Sequence, residues 1–479
     1  MDLGNAIYPY TGPYRTPADV EQARAALEKA YRDKGYQTVS VQIPPQQVRD
    51  GVIYLQVVKG EIGRLRVEGS RFYSIDEIRR EAPSLAEGTV PNFNQVTTDL
   101  VALNQLPDRR ITPVLQAGQI PGTVDVDLNV KDTPPVHGSV EINNRYSADT
   151  TPLRVNGSFD YDNLWQLGHT IGASFQVSPE DLSQVEVFSG YYLARVPGMD
   201  WLSLMVQGTD QDSNVNTLGG IAVAGKGETV GLRAIITLPP RADFYHSVSL
   251  GFDYKHYDQD VVIAGTDATT PLTYYPLSAA YSATWAGKGY VTTFDPSVTV
   301  EIRGLDGSSS EEEFDNNRHG ASGSFIYVRG DLSHTRDLPG GFQAYGKIQG
   351  QASDQPLVNS EQFSGGGLGT VRGYLESEEL GDNALFGSME MRTPSLGNLL
   401  GKTVDEWRFY VFGEGGILGL DDVLPEQQNT FTLASVGGGT RLQLLSHLNG
   451  SLDLGVPLER GPNTAAYSPM LTFRVWGDF

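Results

Sequence analysis

Ser297-Val298-Thr299-Val300-Glu301-Ile302-Arg303 puts each apolar side chain on one parity and each polar or charged one on the other. A period of two is the mark of a strand with one apolar and one wet face. The same reading extends in both directions. Leu277, Ala279, Tyr281, Ala283 and Trp285 alternate with small or polar residues, and Leu153, Val155, Phe159 and Tyr161 alternate with Arg154, Asn156, Ser158 and Asp160. From Asp132-Thr133-Pro134-Pro135 onward, about sixteen candidates reach the ten or so residues that a tilted membrane-crossing strand needs. The spacing predicts a transmembrane β-barrel over 133–479. One face of each strand meets lipid, and the other lines a lumen too wide for side chains to fill.

The connections support this reading. Short turns (Pro197–Met199, Pro239–Ala242, Gly287–Gly289, Pro339–Gly341, His447–Gly450) alternate with longer polar stretches, expected as loops, at Gln211–Glu228, Asp258–Pro271 and Leu305–Asn317. Outer-membrane barrels keep short turns on the periplasmic side and long loops outside. Both ends of the barrel then fall on the periplasmic side. No stretch reaches 18 apolar residues, so no helical span is expected.

Composition narrows the class. The 479 residues carry a formal charge of −23, which disfavours nucleic acid as a partner. Charged residues are only 19%, whereas Gly (55) and Tyr (23) suit turns and membrane interfaces. With no cysteine, disulfides, thiolate catalysis and Cys-type zinc sites are excluded. The seven histidines show no metal spacing, and no serine sits in a G-x-S-x-G elbow. Asp210-Gln211-Asp212 begins like a calcium loop but lacks its glycine, and Glu311-Glu312-Glu313 reads as a solvated charged loop. No catalytic residue, cofactor or metal is expected. Met1–Asn5 shows no signal peptide.

Ahead of the barrel the period changes. Thr16-Pro17-Ala18-Asp19 opens a helix carrying Val20, Ala23, Leu27 and Tyr31, which Gly35 ends; strands are expected at Thr38–Ile43 and Val52–Val57. A second unit follows: a strand at Ile62–Val67, a capping box at Ser74–Glu77, and a helix through Val96, Leu100, Leu103 and Leu106. A hairpin of Ile111–Gln116 with Thr123–Val130 completes it.

Two stretches here, Gly35-Tyr36 through Pro44-Pro45-Gln46-Gln47 to Gly60 and Ala102–Pro107 through Gly122-Thr123 to Val130, resemble polypeptide-transport-associated (POTRA) repeats. The repeats are those of the two-partner (type V) secretion transporters, the FhaC/ShlB/HecB-type TpsB family. The resemblance implies domains at 1–60 and 61–132 before the barrel. Phe363-Ser364-Gly365-Gly366-Gly367-Leu368-Gly369-Thr370-Val371-Arg372-Gly373-Tyr374 fits no phosphate-binding motif. It is similar to the family's sixth outer loop (here about 360–382), which folds into the lumen with Val-Arg-Gly-Tyr at its tip. A guanidinium inside a channel needs an anion. The family places an acid on its thirteenth strand, and Phe412-Gly413-Glu414-Gly415 matches with Glu for Asp. Parity puts Arg408, Tyr410, Phe412 and Glu414 on one face, so Glu414 is the expected partner of Arg372. Ser435–Leu458 and the terminal strand Met470–Phe479 also resemble the family. Its N-terminal plug helix is not recognised here.

The implied function is export of a large β-rich exoprotein (hemolysin- or adhesin-like, TpsA class) across the bacterial outer membrane. The POTRA domains stand in the periplasm and capture the cargo's N-terminal secretion domain. Leu100, Leu103, Val114 and Leu115 are the expected cargo contacts; packing against their own sheet is the other reading for them. An insertase of the barrel-assembly type shares fold and motif and is the alternative function.

Overall fold

The computed structural model describes residues 3–218, 221–263, 266–305, 307–397, 401, 403–425 and 427–479. It divides into two compact units: Met1–Pro135 with Asp162–Gly168, and the rest.

The first unit begins with α1 (Leu3–Ile7) and α2 (Pro17–Asp33). Thr16 and Asp19 cap α2 reciprocally, satisfying two of its orphan N–H groups. The helix lies on a two-stranded sheet, β1 (Val39–Gln42) with β2 (Gln56–Lys59). The second of these strands starts later than the sequence predicts. Residues 53–55 stay irregular because Gln46 binds the main chain of Tyr54 through both N–H and C=O, occupying the groups a ladder would use.

Next come β3 (Glu61–Glu68), α3 (Ile75–Arg80), α4 (Phe93–Leu103), β4 (Arg109–Ala117) and β5 (Thr123–Asp132). β5 is central, parallel to β3 and antiparallel to β4, which leaves β4 at an edge. Ile62, Leu65, Ile78, Leu85, Val96, Leu103, Val126 and Leu128 form its core. Only the Ser74 half of the expected capping box forms, from Glu77 N–H to the Ser74 hydroxyl.

The second unit is a closed antiparallel barrel. Its strands are β6 (Val136–Asn143), β7 (Arg154–Leu164), β8 (His169–Val177), β9 (Val185–Arg195), β10 (Leu202–Leu218), β11 (Ile221–Thr237), β12 (Phe244–Ile263), β13 (Thr266–Tyr274), β14 (Leu277–Gly287) and β15 (Tyr290–Glu301), followed by β16 (Phe325–Asp337) and β17 (Gln343–Ser353). After the sixth outer loop, which holds the short pair β18 (Phe363–Gly365) and β19 (Glu379–Gly381), come β20 (Asn383–Arg392), β21 (Val404–Gly419), β22 (Thr430–Leu444), β23 (Leu448–Pro457) and β24 (Met470–Asp478). β13 and β14 pair with successive halves of β12 in one register (Lys255↔Tyr274, then Phe252↔Leu277), broken at Pro276. They form one crossing, so the barrel has sixteen strands. β24 pairs with β6 and closes it.

Leu204, Val206, Leu232, Leu250, Val328, Met389, Val411, Leu452 and Val475 stay exposed on the outer parity, an apolar band for lipid. The stretches expected as loops at Gln211–Glu228 and Asp258–Pro271 are strand instead. β10 and β11 continue pairing to Leu218↔Ile221, and β12 and β13 to Ile263↔Thr266. Backbone groups of a long polar connection need partners, and a hairpin supplies them without alternation. Residues 219–220 and 264–265 of these stretches lie outside the described residues, as does residue 306 of the third. Glu311-Glu312-Glu313, expected in a loop, opens the short helix α5 (Glu311–Asn317). Ser310 and Glu313 cap it reciprocally, and the acidic first turn suits the helix dipole. Phe314 anchors it among Tyr274, Phe325, Leu357 and Val358.

Candidate functional site

The sixth outer loop runs from the end of β17 back to β20 and lies inside the barrel. Its tip is buried: Val371, Arg372 and Tyr374 are 0, 5 and 1% exposed. Val371 packs among Phe363, Phe386, Leu418 and Leu433. The Tyr374 hydroxyl donates to the Glu459 carbonyl at 2.7 Å. Gly373 has φ +95°, a region that favours glycine, and a Cβ there would stand 2.9 Å from the carbonyl carbon of Gly455 on β23. The loop backbone therefore rests directly on the wall.

Arg372 reaches three carboxylates. Its Nε and Nη2 donate to Glu414 Oε1 at 3.0 and 2.6 Å, and its own main-chain N–H donates to Glu414 Oε2 at 2.7 Å. Its Nη1 lies 2.9 Å from Glu390 Oε2 and 2.9 Å from Asp453 Oδ1. The guanidinium carbon sits 3.6 Å from the centre of the Phe412 ring, a cation–π stack. Tyr410 donates to Asp453, and Ser388 donates to Glu414. Arg392 and Arg441 pair with Glu390, so three guanidiniums balance three carboxylates. Glu414 fits despite its extra methylene because it takes both the side chain and the backbone of Arg372.

Further ties hold the rest of the loop. Glu376 accepts from Arg145, just beyond β6, at 2.7 Å. Glu378 accepts from the N–H groups of Asn463 and Thr464. Glu361, 1% exposed, takes Lys255, Tyr274 and Tyr327. Asp382 caps the N–H groups of Leu357 and Asp421.

Glu390 and Asp453 were not among the residues read from the sequence. Both stand on the inward parity of their strands, an acid amid alternating apolar neighbours. That signal places them in the lumen without saying which loop residue they meet.

In the first unit the four expected cargo contacts separate. Leu103 is fully buried in the core and is unavailable to a partner, a correction to the expectation, and Leu100 packs against the same core. Helical periodicity identified the apolar face of α4, and that face belongs to its own sheet. Val114 and Leu115 are exposed on the edge strand β4.

Comparison with known proteins completes the picture. Residues 122–442, well over half the chain, match the family model for the haemolysin secretion/activation protein ShlB/FhaC/HecB, and residues 2–60 match a ShlB-type POTRA domain. The outer membrane transporter CdiB of Dickeya dadantii is 23% identical over 88% of this chain and 73% of its own length. The heme/hemopexin transporter protein HuxB of Haemophilus influenzae is 21% identical over 97% and 82%. In fold, CdiB from Escherichia coli is similar with a TM-score of 0.70 at 20% identity, covering 100% of this chain and 87% of that one. BamA from Haemophilus ducreyi lacking POTRA domains 1–3 is similar at 0.61 and 13%, covering 100% and 98%. The chain belongs to the haemolysin secretion/activation family ShlB/FhaC/HecB: it is an outer-membrane transporter of two-partner secretion, its POTRA region in the periplasm and a partner exoprotein as its cargo.

Proposed function

We propose that residues 1–60 and 61–132 act as two POTRA domains that capture the N-terminal secretion domain of a large β-rich exoprotein, which then crosses through the barrel of 133–479. The apolar outer band contacts outer-membrane lipid. Arg372, held by Glu414, Glu390 and Asp453, fixes the sixth loop in the lumen, and Val371, Gly373 and Tyr374 seat it there. Buried charge sets contribute little net stability, so their role is to specify one loop position.

The observation that carries the capture step is the outer edge of β4 beyond Ile111, whose own N–H and C=O are taken by the Asn104 side chain, with Val114 and Leu115 exposed. An extended peptide can add there as a strand. Pro113 offers no N–H, which confines the added strand to Val114–Ala117.

The test is secretion of the exoprotein encoded beside this barrel, at matched outer-membrane levels. Wild type exports it, and Val114→Arg with Leu115→Arg exports little while the barrel still assembles. Full export by the double variant places capture elsewhere. If wild type exports nothing and other barrels fail to assemble without it, the chain is an insertase.

A further inference from the structure

The lumen wall is not uniform. The loop's charge cluster draws on the inward side chains of β20–β23, and Arg329, Lys347 and Arg474 extend the charged sector to β16, β17 and β24. The opposite wall, β8–β14, presents Ser174, Ser189, Gln207, Thr209, Ser249 and Ser282 on the inward parity. Away from the strand ends, the charged side chains on this wall among the described residues are Arg233, Asp253 and Lys255. Each is neutralised in place. Arg233 meets Asp253 on the next strand at 2.7 and 2.8 Å, and Lys255 pairs with Glu361 of the sixth loop.

This wall is also flat. A Cβ at Gly251 would stand 2.9 Å from Arg233 Cδ, and one at Gly231 would collide with the Asp253 carboxylate. The ion pair lies over these two glycines and does not project into the lumen. Tyr191 likewise lies across Gly172, its hydroxyl donating to Asp160 at 2.7 Å. Arg233, Asp253 and Tyr191 are thus laid down on residues that have no side chain.

We infer that the β8–β14 face of the lumen is the surface along which an extended, unfolded polypeptide slides, and that the charged sector serves the sixth loop and not the cargo. This rests on the transport reading above. A chain in transit must leave each position as easily as it enters. Fixed unpaired charges on a channel wall bind opposite charges and repel like ones, so they would trap some segments and exclude others. Hydroxyls and amides exchange hydrogen bonds with a passing backbone for only about 0.5–1.5 kcal/mol each. A neutral, hydroxyl-rich, flat wall therefore accepts sequence without selecting it.

The experiment uses the full barrel in cells and its partner exoprotein, stalled in transit by a folded domain fused at the cargo's C-terminus. The photo-crosslinking amino acid benzoylphenylalanine is placed at Gln207 or Ser249, and in parallel at Tyr345 or Lys347, which line an open cavity beside the sixth loop. Adducts at Gln207 and Ser249 with none at Tyr345 and Lys347 are expected. Equal or stronger adducts at Tyr345 and Lys347, or secretion without adducts at Gln207 and Ser249, overturn the inference while leaving the transport reading standing. A wild type that secretes nothing overturns both. A second measurement needs no crosslinker: Gln207→Glu combined with Ser249→Asp lowers secretion of the unstalled exoprotein at least about fivefold. Undiminished secretion by the charged double variant also overturns the inference.

Discussion

Arg372→Ala removes the one loop cation that faces Glu390, Glu414 and Asp453, all of them buried. Arg392 and Arg441 still reach Glu390, but Glu414 keeps only Ser388 and Asp453 keeps only Tyr410 among the contacts described above. Breaking a buried charge set from one side costs about 3–5 kcal/mol. At about 1.4 kcal/mol per tenfold, the fraction of barrels whose loop has left its seat rises about 100-fold to a few thousand-fold. Val371→Cys reports this directly. Val371 is fully buried beside Arg372, and the chain has no other thiol. A bulky membrane-impermeant maleimide added to intact cells labels Cys at that position only from the open state, so the labelling rate follows the open fraction. The Arg372→Ala background should label faster by the factor above. Glu414→Gln should accelerate labelling less, by the equivalent of about 1–3 kcal/mol, because Arg372 retains Glu390 and Asp453. A rate in Arg372→Ala within about threefold of the parent, under 1 kcal/mol, refutes the reasoning. Arg372 would then be a passenger in a loop held by Glu376, Glu378 and Glu361.

Gly373→Ala places a Cβ 2.9 Å from the Gly455 carbonyl carbon at a positive φ, and should weaken loop seating by about 1–3 kcal/mol; the same Val371→Cys labelling measures it. Leu103→Ala opens a cavity in the core packed on β3, β4 and β5 and should cost about 2–5 kcal/mol, read as lost hydrogen-exchange protection of β5 in the whole chain with the barrel strands unaffected. Between α2 and β1, the Val41 N–H bonded to the Glu28 carboxylate, with Arg32 and Arg24 beside it, holds that carboxyl below its ordinary value against the opposing effect of burial. The stabilisation is therefore complete above about pH 4.3 and is lost as pH falls through the lowered value. Exchange protection of β1 should drop on acidification below pH 4, and Glu28→Gln should abolish that pH dependence.

The alternation in Ser297–Arg303 and its counterparts, taken with the unequal lengths of the connections, pointed to a barrel of about sixteen strands, because a strand between lipid and water must alternate whatever its neighbours do. Parity alone also aimed Glu414 inward, and the motif around Arg372 placed that residue in the sixth loop. Other features depended on which elements meet. Glu390 and Asp453 join Arg372 only because register sets their side chains near Glu414 across β20–β23 and the sixth loop folds back over that wall. The contact of Gly373 with Gly455 and the reach of Glu376 to Arg145 likewise cross long stretches of chain. Leu103 shows the same limit within one helix: its spacing marks an apolar face, while only packing shows that β3, β4 and β5 already cover it. Local chemistry sets the period and the direction of each side chain. Which side chains then touch is decided by register and closure, which a single strand does not carry.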